Sequence, residues 1–344
     1  MAATIKDVAK LAGVATSTVS RVLADSDRIS KETKEKVMDA MEKLEFHRNY
    51  HAHTLASKQS NNIAIVLPQS DVSFYKHPFF PEVLRGINDC AIKKGYSLVF
   101  SNGIDNQQHS QNIVEMIKGR RVDGFIWLYS EQTDPMIDFI KTQNVPFVMV
   151  GKPSSDDGSI SYVTNDNVLA VHEVTQYLIQ MGHRKIAYLS GRLNFVVNQD
   201  RLMGFLLAME EAKLPVDSAN SVSRVIFGTR SERLNKLREI MLLPDAPSAV
   251  VAVDDVIAMS VMSLFHELGI SVPEQCSIAG ISNIMFSEIS APPLTTIDLY
   301  SYDVGYQATE KLLKWIGGGK PDLKPVIIKH HLVKRKSTAP PKNS

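Results

Sequence analysis

From Asn61 onward the chain alternates short apolar runs with amphipathic stretches, and few folds can accept that rhythm. The runs Ile63–Leu67, Ser97–Phe100, Gly124–Leu128, Phe147–Val150, Lys185–Leu189, Val222–Ile226, Ala249–Val253 and Ser277–Gly280 read as strands. Helical periodicity falls between them, near 80–94, 107–119, 134–143, 166–181, 198–213, 230–241 and 254–268. Gly95 and Gly182 stand where helices would end before strands begin. Repeated alternation of this kind gives parallel strands covered on both faces. There are too many units for one comfortable sheet, so the expectation is an α/β body of two doubly wound lobes.

The first sixty residues are different. Thr4 and Asp7 have capping-box spacing, and Ile5, Val8, Ala9 and Ala12 share a helical face. Gly13 supplies a turn, and a second helix is expected from about Thr16 to Leu23, with Val19, Val22 and Leu23 turned inward. Ala15 gives this helix no side-chain cap. Ser30 caps a third helix, striped by Val37, Ala40, Met41 and Leu44. Three such helices can share one small core as a helix-turn-helix, whose second helix presents side chains to a DNA major groove.

The organisation expected is therefore a helix-turn-helix head over 1–46, a hinge over 47–60 and a two-lobed body over 61–336. The first lobe takes about 61–161 and 292–322, the second about 162–291 and 323–336. The hinge is polar with scattered apolar positions and suits folding on a partner. Residues 337–344, STAPPKNS, read as a disordered tail.

Charge does not by itself point to nucleic acid. Residues 1–60 hold ten Lys or Arg against eight Asp or Glu, and 61–344 hold 28 against 29, giving +1 for the whole. Cys90 and Cys276 have no metal-like spacing. With no leader-like or membrane-length apolar run, the expected setting is the cytoplasm. Phosphate-binding loops, dinucleotide fingerprints, zinc-protease motifs and nucleophile elbows are all missing from the sequence. No enzyme, cofactor or metal is expected.

The runs TIKDVAKLAGV and TSTVSRVL, the hinge ending in Leu55-Ala56, and then GHRKIAYLSG, DRLMGF, VPEQCSIAGIS and APPLTTID resemble the lac repressor-type transcription regulators over residues 4–336. LYSEQTDP, VGKP and YVTNDN look most like the maltose-operon repressors of Gram-positive bacteria within that family. The resemblance implies periplasmic-binding-protein-like lobes and a homodimer on double-stranded operator DNA. It also implies control by a small-molecule effector, a sugar such as maltose or a related α-glucoside. Two other readings stand beside it. One is a catabolite-control regulator with a phosphorylated carrier protein as co-repressor, and the other a solute-binding protein or enzyme on the same lobes. No leucine heptads follow Arg335, so a dimer and not a tetramer is expected.

The resemblance also places residues. Thr16, Ser17, Thr18 and Arg21 fall at groove-reading positions, and Leu55 at the leucine that wedges a minor-groove base step. Arg48, Asn49, His53 and Ala56 fall in the DNA-facing hinge, where Arg48 stands in place of the usual Pro and His53 in place of a common Arg. Phe79, Phe80, Ser130, Lys152, Arg201 and Asp254 are the effector candidates, with Ser282 and Asn283 where most sugar-binding members carry an acidic residue.

Overall fold

The computed structural model describes all residues except 1–2, 24–25, 47–58, 69–76, 102, 104, 156, 217–221, 224–228, 244–245 and 343–344. The chain divides into two compact units, Met1–Gln59 and Ser60–Ser344.

The first unit contains α1 (Ile5–Ala12), α2 (Thr16–Leu23) and α3 (Lys31–Lys43). Val8, Ala9, Val19, Val22, Val37 and Ala40 form its core, as the apolar stripes require. The Asp7 carboxylate accepts from the Thr4 backbone N–H at 2.9 Å and from its hydroxyl at 2.7 Å. Gly13, at φ 68°, ends α1 in the left-handed region. The Ser30 hydroxyl accepts from the N–H of Thr33 and caps α3.

In the second unit, β1 (Asn62–Val66), β2 (Ser97–Phe100), β3 (Gly124–Trp127), β4 (Phe147–Val150), β5 (Tyr162–Asn165) and β11 (Val326–Ile328) make one sheet, in the order β11-β5-β4-β3-β1-β2. The other sheet takes β6 (Ile186–Leu189), β7 (Val222–Ser223), β8 (Ala249–Ala252), β9 (Ser277–Ser282), β10 (Thr295–Asp298) and β12 (His331–Val333), in the order β12-β10-β9-β8-β6-β7. All pairings are parallel except that of β10 with β12. The first lobe carries α4 (Phe79–Lys93), α5 (Asn106–Lys118), α6 (Pro135–Thr142) and α12 (Ser301–Ile316). The second carries α7 (Asn167–Gln180), α8 (Val196–Glu211), α9 (Arg230–Met241), α10 (Asp255–Glu267) and the short α11 (Met285–Ile289). Each lobe has one close helix crossing made possible by a missing side chain. A Cβ on Gly305 of α12 would strike the carbonyl of Val83 on α4, and one on Gly204 of α8 would strike that of Val168 on α7.

The lobe boundaries differ from those expected. Strand 162–165 belongs to the first lobe, 295–298 to the second and 326–328 to the first, because each completes a hydrogen-bonded ladder there. The chain thus crosses between lobes three times, near 166, 299 and 329. One amide joins all three crossings: Asn165 Nδ2 donates to the carbonyls of Leu299 (2.9 Å) and Ile328 (3.1 Å).

The tail is also corrected: residues 337–341 are ordered against the second lobe. Ser337 is fully buried, its carbonyl accepting from the N–H of Ile278 and its hydroxyl donating to the Ile278 carbonyl. The N–H of Ala339 donates to Ser277 Oγ, and the Ala339 carbonyl lies 3.0 Å from His183 Nε2. The segment has few apolar residues and two prolines, so composition reads it as unstructured. Backbone and hydroxyl bonds to a distant strand hold it instead.

Candidate functional site

The cleft between the two lobes of the second unit lies at the carboxyl ends of the strands, the position where open α/β sheets bind ligands. Phe79 and Phe80 begin α4 and meet edge to face, 5.2 Å between ring centres. Tyr129 and Ser130 come after β3, and Lys152 after β4. Opposite them stand Phe195, Asn198, Asp200 and Arg201 at the start of α8, Asp254 after β8, and Ser282 at the end of β9.

Seven of the eight expected effector residues therefore share one cleft. Phe79 and Phe80 also pack on the first lobe's core, and Phe79 reaches that of the second, so both are at once core and wall. Asn283 is the exception. Its Oδ1 accepts from Arg335 Nη2 at 2.8 Å and its Nδ2 donates to Asp298 at 2.9 Å, which turns it out of the cleft into a scaffold of its own. Its neighbour Ser282 is buried and holds φ 119°, an unusual backbone for a residue with a side chain.

Arg201 is 8% exposed, not a solvated surface arginine. Its Nε donates to Asn167 Oδ1 at 3.0 Å and its Nη1 to the Val253 carbonyl at 2.7 Å. Its Nη2 has no bond to a described residue and remains available to a ligand. Burial lowers its pKa, against the pull of Tyr188 and the neighbouring carboxylates.

Asp254 does two jobs. One oxygen caps α10 by accepting from the N–H of Ile257 at 2.8 Å, and the other lies 3.5 Å from His77 Nε2 of the first lobe. Burial raises its pKa, but His77, the cap bond and Arg201 together outweigh that and hold the carboxyl below its ordinary value. His77 Nδ1 accepts from the Phe79 N–H, so the proton sits on Nε2, facing Asp254. The lobes also touch where the Ser130 carbonyl accepts from the N–H of Val196 at 3.0 Å.

Sequence reading missed His77, Tyr129, Asn165, Asn167, Asn198 and Asp200 as lining residues. Asp200 had a signal in its place beside Arg201 within DRLMGF. Buried Asp255 closes the rear: it accepts from Thr296 Oγ1 (2.5 Å), Ser287 Oγ (2.7 Å) and the N–H of Ile284 (2.9 Å).

In the first unit, Thr16, Ser17 and Arg21 are exposed on α2 and Thr18 is half-buried. Arg48, Asn49, His53, Leu55 and Ala56 lie outside the described residues.

Two family descriptions match the chain: bacterial regulatory proteins of the lacI family over residues 4–49, and a periplasmic binding protein-like domain over 175–338. The HTH-type transcriptional regulator MalR of Staphylococcus xylosus is 34% identical over 317 residues, 92% of either chain. The chain belongs to the lacI family of transcription regulators. The HTH-type transcriptional repressor PurR of Actinobacillus pleuropneumoniae is 33% identical over 339 residues, covering 97% of this chain and 98% of that one. Among solved structures, a transcriptional regulator CelR–cellobiose complex matches with a TM-score of 0.73 at 27% identity, covering 97% of this chain and 99% of that one. These relatives are named as transcription regulators, none as an enzyme. No helix among the described residues is long and apolar enough to cross a membrane.

Proposed function

We propose that this regulator is a homodimeric repressor in the cytoplasm, released from its operator by a neutral sugar, maltose or a related α-glucoside. The observation that carries the reading is the chemistry of the cleft. Aromatic rings that suit a sugar face, Phe79, Phe80, Tyr129 and Phe195, stand beside hydroxyl-bonding groups in one cleft. The MalR relatives and the cellobiose complex of CelR support a sugar over other small ligands. Exposed apolar side chains at Ile92, Phe100, Met285, Phe286 and Ile289 support burial against a second copy. Thr16, Ser17, Thr18 and Arg21 read the major groove, while Arg48, Asn49, His53, Leu55 and Ala56 bind as the hinge, with Leu55 the wedge. Effector favours the state with lower DNA affinity, by a coupling of typically about 1–3 kcal/mol.

The test is operator binding on DNA upstream of the neighbouring operon, titrated with maltose, other α-glucosides and unrelated sugars. Arg21→Ala should weaken operator binding by about 1–3 kcal/mol. An unaffected Arg21→Ala removes the groove assignment. A parent protein released by none of the sugars removes the effector assignment and leaves the DNA reading intact.

A further inference from the structure

Asp200 stands out among the cleft-lining side chains. It sits on the first turns of α8 beside Arg201 and has no hydrogen bond to any described residue. The cleft's other carboxylate, Asp254, is already engaged by the α10 cap and by His77. Burial pushes the pKa of Asp200 up; the charges of Lys152 and Arg201 pull it down without cancelling that, and Asp166 adds to the rise. A half-buried carboxylate short of donors is costly unless something supplies them. Ionised, it accepts only, and it can take two hydroxyls at once.

The charge balance narrows what fits. Lys152 and Arg201 face Asp200 and Asp254, so the permanently charged groups among the described lining residues sum to zero. Arg201 spends two of its three nitrogens on Asn167 and Val253. An anionic ligand would therefore meet a compensated field and an unpartnered carboxylate. A ligand with adjacent hydroxyls would give Asp200 its missing donors and could accept from Lys152 on the opposite wall.

We propose that Asp200 is the cleft's principal hydroxyl acceptor, and that with Lys152 it selects a neutral polyhydroxylated ligand over the phosphorylated form of the same molecule. The proposal rests on the sugar reading of the cleft and deepens it. It also accounts for a sugar site in which Ser282 offers a hydroxyl and no carboxylate.

The experiment is calorimetric binding to the full-length protein of maltose, glucose, trehalose and glucose 6-phosphate, for the parent, Asp200→Asn and Asp200→Ala. The parent should bind a neutral sugar and prefer it to the phosphate. Both variants should bind that sugar about tenfold to a hundredfold more weakly, the range expected for a bond to a charged group. Asp200→Asn should also narrow or reverse the preference against glucose 6-phosphate, which a merely structural role would not do. Thermal unfolding of the ligand-free variants should match the parent, since Asp200 holds nothing in place. A parent that binds a neutral sugar, with variants of equal affinity and selectivity, overturns the role of Asp200 and leaves the sugar reading standing. A parent that prefers the phosphate, or binds no neutral sugar, overturns both.

Discussion

The two walls of the cleft come from lobes built to one plan, yet rings predominate on one and charged groups on the other. The first lobe offers Phe79, Phe80, Leu128, Tyr129 and Val150, mostly rings and methyl groups, beside the polar His77, Ser130, Lys152, Thr164 and Asn165. The second offers Asn198, Asp200, Arg201, Asp254 and Ser282, with Phe195 and Val197 as its apolar members. The sheets explain little of this, since each has six strands among the described residues and, antiparallel β12 apart, aims their carboxyl ends at the cleft. The difference arises in the helix starts that lie beyond those ends. A Phe pair at the start of α4 remains part of the core, whereas the start of α8 brings in charged groups that need partners. One wall supplies surface and the other supplies direction, so substitutions on the two sides should fail differently.

The largest expected effect is on the second wall. Arg201→Ala strands Asn167 Oδ1 and the Val253 carbonyl in the interior, at about 1–3 kcal/mol for each group left unpaired. Urea unfolding should show a loss of about 2–6 kcal/mol together with loss of the ligand response. A stability loss under 1 kcal/mol would mean that the arginine serves the ligand alone. Next comes the first wall. Phe80→Ala should cost about 2 kcal/mol, less than full burial of a Phe would imply, because the ring is half-exposed. It should weaken binding of every sugar by a similar factor, since a ring face carries no hydroxyl code. A change in the order of preferred sugars would contradict the division between surface and direction.

Smaller effects separate the lobes by pH. Burial lowers the pKa of His109 in the first lobe and of His183 in the second. A histidine kept neutral by folding takes up a proton on unfolding. Its penalty is therefore absent above the unfolded value of about 6.5 and grows as pH falls below it. The two sites differ in bonding: neither ring nitrogen of His109 has a partner among the described residues, whereas His183 lies between Ser248 Oγ (2.8 Å) and the Ala339 carbonyl. His109→Leu should flatten the acid slope and leave stability at pH 8 unchanged or up to about 1 kcal/mol higher. His183→Leu should flatten the slope too, but lose about 1–2 kcal/mol at pH 8. Equal behaviour of the two variants across pH 5–8 would erase the distinction. The smallest effect belongs to Lys152→Ala: the side chain is exposed, so stability should stay within about 0.5 kcal/mol.

The strands that could be read from sequence are those whose apolar run announces itself, such as Phe147–Val150, which falls where its pattern places it. Those that escaped are short or polar. Val326–Ile328 and His331–Val333 are three residues each, set among Lys and His, and only their ladder partners make them strands. The helix Ser301–Ile316 escaped along with them. Its mid-helix Gly305 weakens local propensity, and its reason is the close approach to α4. In the cleft, Arg201 was legible from its motif, while Asp200, one residue earlier on the same helix, was not. Neighbours in a helix normally face different ways; here α8 enters the cleft by its first turns, and both line it. Asn283 shows the reverse, since one step past Ser282 the side chain belongs to the Arg335 scaffold.

The strap at 337–341 has a consequence for the order of events during synthesis. The first lobe receives β11 at 326–328, the second receives β12 at 331–333, and the strap then pairs with β9. A ribosome that has already made Arg201, Asp254 and Ser282 has not yet supplied the segments that close either sheet. Both lobes should therefore wait, edges open, until residues beyond 326 emerge. The cleft is encoded early and assembled late, so a nascent chain completes its two lobes only after its helix-turn-helix has been outside the ribosome for most of translation.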